Sequence, residues 1–114
     1  MAATDDQLIQ RIYNQDVSAF DELYEKYQTA VYRFACYLTQ NRMEADDLFQ
    51  ETWLRAVRFL PNNPSVRDFK AWILTIAINL HRDQLRKKRI RRFFGFERSI
   101  TIEKIQGIQF KLEL

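Results

Sequence analysis

Turn-forming residues are scarce in this 114-residue chain, which has two glycines and two prolines. So little turn chemistry argues against a many-stranded sheet and for long helices. A single cysteine, Cys36, excludes an internal disulfide and reads as a structural thiol in a reducing compartment. The one histidine, His81, lies in a basic run and reads as a surface helix residue rather than a base. Glycine-rich phosphate loops and the CxxC and HxxxH spacings are all missing, so neither a metal nor a cofactor is expected. No apolar run approaches the roughly 20 residues that span a bilayer, so no membrane insertion is expected. The opening MAATDDQ is acidic and polar, unlike a secretory signal. These absences point to a cytoplasmic binding module rather than an enzyme.

What is present is apolar enough to fold. Hydrophobic residues make up 46% of the chain, enough to exclude disorder over its whole length and to build one domain. The net charge of +3 conceals a polarity. Residues 1–60 carry 6 basic and 10 acidic side chains, and residues 61–114 carry 12 basic and 5 acidic. Two surfaces with two kinds of partner are implied.

Thr4 followed by Gln7 fits a capping box, with Asp5 and Asp6 at the positive end of a first helix. Leu8, Ile9 and Ile12 share one face, and residues 14–16 read as a break. Ser18 is the expected cap of a second helix, with Asp21 as a weaker box partner. Its apolar stripe is Phe20, Leu23, Tyr24, Tyr27, Ala30, Val31, Phe34, Ala35 and Leu38, recurring in steps of three and four. A third helix is predicted over 43–60. Ala45, Leu48, Phe49, Thr52, Trp53, Ala56 and Leu60 face inward; Asp46, Asp47, Gln50, Glu51, Arg55 and Arg58 face out. PNNPS follows as a loop. A fourth helix starts near Ser65 or Asp68, turns Phe69, Trp72, Ile73, Ile76, Ala77 and Leu80 inward, and runs through Arg92.

The predicted fold class is therefore all-α, a compact bundle of about four helices with an extended or partner-dependent C-terminal tail. Residues 1–94 form the helical domain. Residues 95–114 form the start of an interdomain linker or a partner-bound tail, because ITIEKIQGIQFKLEL is rich in β-branched residues and alternates at Ile108, Phe110, Leu112 and Leu114.

The fourth helix ends in HRDQLRKKRIRRFF. Arg82, Arg86, Lys87, Lys88, Arg89, Arg91 and Arg92 concentrate there, at the negative end of the helix dipole. Charge alone fits a non-specific surface as well as the anchoring end of a nucleic-acid reader.

Two stretches decide between them. EADDLFQETWLRAVRFL carries a D-L-x-Q-E helix. FKAWILTIAINLHRDQLRKKR carries an F-x-A-W-x-x-x-I-A-x-N helix ending in cations. In this order and spacing they resemble region 2 of bacterial ECF-type sigma factors. AFDELYEKYQTAVYRFACYLTQN is similar to the segment that precedes it, and the resemblance covers roughly residues 4 to 92.

The resemblance implies that Asp46, Asp47, Gln50, Glu51 and Trp53 belong to a helix that docks on core RNA polymerase, at the clamp helices of its largest subunit. It implies that the fourth helix meets the promoter −10 element and captures a non-template-strand base. Phe59, Asn62, Asn63 and Arg67 in the loop are the candidates for the base pocket. Asn79 matches the Asn of I-A-x-N, and Asp83 lies one turn on. Asp83 has two open readings, acceptor for a base amine or partner of Arg82, Arg86 or Lys87. The seven cations of the run would hold phosphates. Trp72 matches one member of a melting pair in housekeeping sigma factors, but its neighbour is Ile73, so it is read as core. An anti-sigma protein is a further partner the resemblance implies. Full-length members also carry a region 4, which this sequence lacks, so the chain is read as region 2 with the start of a linker, an expressed fragment or one half of a split factor. Two alternatives stay open: a basic helical protein that binds nucleic acid non-specifically, and a protein–protein adaptor.

Overall fold

Thr4 opens the first helix by the predicted box. In the computed structural model, which describes residues 3–63 and 65–93, the Thr4 hydroxyl accepts from the Gln7 amide at 3.2 Å. The Gln7 side chain accepts from the Thr4 amide at 2.9 Å. Helix α1 spans Asp5–Tyr13 and buries Leu8, Ile9 and Ile12. The break falls where expected. Gln15 closes it in the left-handed region, at φ 68°, a conformation that costs a non-glycine residue some strain.

Helix α2 spans Ala19–Leu38, but Ser18 does not cap it. Ser18 has helical backbone angles and makes no capping bond with its side chain. Its hydroxyl donates instead to Asp16 Oδ1 at 2.5 Å, and its amide reaches the same oxygen at 3.2 Å. A carboxylate two residues upstream is the stronger acceptor and forms the turn itself. Arg11 ties this corner together, with Nε 2.9 Å from Asp16 and Nη1 2.6 Å from Glu22.

Helix α3 spans Arg42–Phe59 and is capped by Asn41, whose Oδ1 accepts from the Glu44 amide at 2.9 Å. Its end tightens into a 3₁₀ turn, Leu60–Asn62, where Pro61 is tolerated near the start. Helix α4 spans Phe69–Phe93. Of the two predicted starts, Asp68 is the one used: its Oδ1 accepts from the Ala71 amide at 3.1 Å.

The chain divides into two units, residues 1–81 and 82–114. In the first, Phe69 is fully buried and central, with its ring 5.4 Å from that of Tyr27, 6.0 Å from Trp53 and 5.9 Å from Trp72. Leu8, Ile12, Leu23, Val31, Leu60 and Ile73 are among the other residues of this cluster. A second, smaller cluster joins Ala35, Ala45, Leu48 and Leu80. Alanines at its helix contacts let the backbones approach closely. Thr52 is a buried polar residue; its hydroxyl donates to the Leu48 carbonyl at 2.6 Å, so it costs little.

Three expectations are corrected. Tyr24, expected on the inward stripe, and Cys36, read as a structural thiol, are exposed. His81 is half-buried, and its Nδ1 has no hydrogen-bond partner. In the second unit the described residues, 82–93, are the remaining turns of α4. The predicted tail, 95–114, lies outside the described residues. All regular structure among the described residues is helical, as predicted, and no helix there is long and apolar enough to cross a membrane.

Candidate functional site

Helix α3 alternates between core and solvent because its apolar residues repeat every three or four positions. Ala45, Leu48, Thr52, Trp53 and Ala56 are buried. The other side presents Asp46, Asp47, Gln50 and Glu51, all exposed. Four of the five residues expected to dock thus stand together on one helix face. Asp46 is oriented by α2: its Oδ1 accepts from the Tyr32 hydroxyl at 2.7 Å. That bond, aided by partial burial, raises the Tyr32 phenol above its usual range.

Trp53 is not on that face. It is 7% exposed and packs its ring against Phe69 and, edge to face at 5.0 Å, against Tyr24. Its indole N–H is buried without a hydrogen-bond partner. One side of the ring reaches a groove of about 510 Å³ between the two helices. Tyr24 and Tyr32 line it from α2, and Asp46, Phe49, Gln50, Trp53, Leu54 and Val57 from α3. Sequence reasoning passed over this groove. The signal was there in Leu54 and Val57, two apolar residues outside the inward stripe of α3.

The loop candidates are positioned less uniformly. Phe59 is partly exposed, with the Arg58 guanidinium 5.6 Å from its ring centre. Asn62 and Arg67 are exposed. Asn63 is structurally engaged: its side-chain amide donates to the Phe59 carbonyl at 3.0 Å, and its own carbonyl accepts from the Tyr13 hydroxyl. Asn79 is exposed on α4. It lies ten residues past Phe69, about 15 Å along the helix. Trp72 is half-buried and packs on the core, as read from the sequence.

In the second unit, Asp83 accepts from Arg86 at 2.7 Å. This is the geometry of the ion-pair reading. An exposed pair of this kind contributes little to stability. Arg82, Arg86, Lys87, Lys88, Arg89, Arg91 and Arg92 are all exposed, a dense basic stretch. Among the described residues no cluster of side chains could hold a metal ion.

The α3 face, the loop after it, Asn79 and the cations through Arg91 lie within one family match. The family model for sigma-70 region 2 matches residues 23–91. The chain belongs to the sigma-70 region 2 family. Helix α1 and the first turn of α2 precede the matched segment. The sigma-region 2 chain is 38% identical over 86 residues to the ECF RNA polymerase sigma factor BldN of Streptomyces coelicolor, a match covering 75% of this chain and 33% of BldN. It is 35% identical over 81 residues to the RNA polymerase sigma-H factor of Pseudomonas aeruginosa, covering 71% of this chain and 42% of that protein. With the ECF RNA polymerase sigma factor SigW of Bacillus subtilis it shares 31% identity over 81 residues, 71% of this chain and 43% of SigW. It thus spans between a third and a half of the length of these relatives. A chain of the solved RsbN–BldN complex superposes with a TM-score of 0.62 at 30% identity, covering 87% of this chain and 83% of that one.

Proposed function

We propose that this chain is the region 2 module of an ECF-type RNA polymerase sigma factor, which binds core polymerase and engages the promoter −10 element at initiation. One observation carries the reading: Asp46, Asp47, Gln50 and Glu51 are exposed together on α3, inside the segment that matches the family. Asp46 is held by the Tyr32 hydroxyl, and Asp47 and Glu51 stand exposed beside it. Carboxylates and an amide at helical spacing complement a basic protein helix, with charge-assisted hydrogen bonds fixing register.

The DNA side divides by residue type. Asn62 and Asn79 are exposed amides that can donate to and accept from a base edge. Phe59 offers an aromatic face on which an unstacked base can rest. Asn63 takes a supporting role, holding the 3₁₀ turn that presents Phe59 and Asn62. The cations of α4 neutralise phosphates, which positions the strand without reading it. Asp83 orients Arg86 in this division. The chain itself performs no catalysis; strand capture and docking are binding steps. The resemblance of fold to a chain of the RsbN–BldN complex supports a further expectation, that an anti-sigma protein covers these faces when the factor is held inactive.

The test is retention on immobilised core RNA polymerase. Gln50→Ala is expected to weaken retention and Glu51→Arg to abolish it; unchanged retention of both variants would sink the docking assignment.

A further inference from the structure

The turn that presents Asn62 is fastened at both ends. At its start, Leu60 is fully buried and shares an apolar cluster with Leu8, Ile9 and Ile12 of α1. At its end, Asn63 gathers four hydrogen bonds. Its amide donates to the Leu60 carbonyl at 3.0 Å, and its side chain to the Phe59 carbonyl at 3.0 Å. Its carbonyl accepts from the Val66 amide at 3.3 Å and from the Tyr13 hydroxyl. Phe59, Leu60 and Val66 are near neighbours of Asn63 in the chain. Tyr13 is not: it stands 50 residues away and closes α1.

Bonds between neighbours give a turn its shape but leave it able to shift as one body. A bond to a distant helix fixes where it stands. Tyr13 suits that task. Its ring is half-buried against the core cluster, which restricts the path of the hydroxyl. Burial pushes its phenol above the usual range, so it stays a donor at neutral pH. A backbone carbonyl has two lone pairs, so the Tyr13 bond adds to the Val66 bond without replacing it. Between the two fastened ends, Pro61 and Asn62 are exposed. Asn62 thus has a fixed backbone and a free side chain, and reading a base edge needs its amide placed to within about 0.5 Å.

We propose that Tyr13 is a positioning residue for base reading: its hydroxyl, donating to the Asn63 carbonyl, sets the turn from which Asn62 meets an unstacked base. The inference rests on the DNA reading above. It adds to that reading a helix that precedes the matched family segment, residues 23–91.

It is tested by fluorescence anisotropy with short single-stranded homopolymers of dA, dC and dT. Base preference is the ratio of the strongest affinity to the weakest. Asn62→Ala should reduce that ratio, as the loop reading requires. Tyr13→Phe keeps the ring and removes the donor, and should reduce the ratio about fivefold. Ile12→Val thins the neighbouring packing and keeps the hydroxyl, and should leave the ratio unchanged. The Asn63 carbonyl-carbon resonance should shift in Tyr13→Phe and hold in Ile12→Val. An unchanged ratio in Tyr13→Phe beside a reduced one in Asn62→Ala overturns the Tyr13 role and leaves the loop reading standing. Equal losses in Tyr13→Phe and Ile12→Val reduce Tyr13 to packing and overturn the proposal as well. An unchanged ratio in Asn62→Ala removes the loop reading, and the positioning role falls with it.

Discussion

Asp5 shows how one side chain fastens two helices. Burial works against its ionisation, but hydrogen bonds from Lys26 and Tyr27, with the Lys26 charge, outweigh it and hold its pKa below 3.8. Its folded value is depressed, so its contribution is present at neutral pH and is lost as pH falls from 3.8 through the folded value. Tyr27 is the counterpart at alkaline pH. Burial first, then the bond to Asp5, raises its phenol from 10.0 to about 12. The folded state therefore holds that proton longer, and the contribution is complete below pH 10 and lost as pH rises to about 12. Urea midpoints measured across pH should fall at both ends, and Asp5→Asn should flatten the acid limb and shrink the alkaline one. Phe69 sets the largest cost at this scale. Phe69→Ala is expected to lose about 3–5 kcal/mol in chemical denaturation, because a fully enclosed ring leaves a cavity. The inward position of Phe69 was legible in its spacing with Ile73 and Ile76. The Asp5–Tyr27 contact was not, because it pairs residues distant in sequence and no periodicity encodes it.

Helix ends were legible where one cap had no competitor. Thr4 and Gln7 form the expected box, and Thr4→Ala should cost about 1 kcal/mol. At the start of α2 the same pattern pointed to Ser18, although Asp16 stands two residues upstream and accepts the Ser18 hydroxyl's hydrogen bond itself. Asp16→Ala should therefore destabilise the fold by about 1 kcal/mol and Ser18→Ala by only a few tenths, the reverse of a capping serine. Helix α3 was read correctly as two-faced. Trp53 satisfied both readings on paper, because a tryptophan beside an acidic face suits an interface as well as a core; packing against Phe69 placed it inside. In the proposed reading, position along α4 sets the role. Asn79→Ala is expected to change which −10 non-template oligonucleotide is preferred, by about 1–3 kcal/mol of discrimination in fluorescence anisotropy. Lys87→Ala should weaken all oligonucleotides alike and make the salt dependence shallower by about one unit of slope.

The whole molecule is electrically polarised, acidic through α3 and basic beyond it. That division was visible by counting, and in the proposed reading it separates two partners: a basic polymerase helix on α3 and a phosphate backbone on α4. It also keeps each face from competing for the other's ligand, since like charges repel the wrong one. The bundle and most of its core followed from periodicity. The aromatic groove did not, because it is made by two helices and belongs to neither sequence pattern alone. The central claim is that the exposed α3 quartet docks on core RNA polymerase, and the affinity of core polymerase for the chain tests it most directly. Glu51→Arg should lose at least about tenfold, because it sets a cation against a basic partner surface, while Asn79→Ala should bind polymerase as tightly as the unaltered chain. Equal polymerase affinity for Glu51→Arg and the unaltered chain would contradict the account.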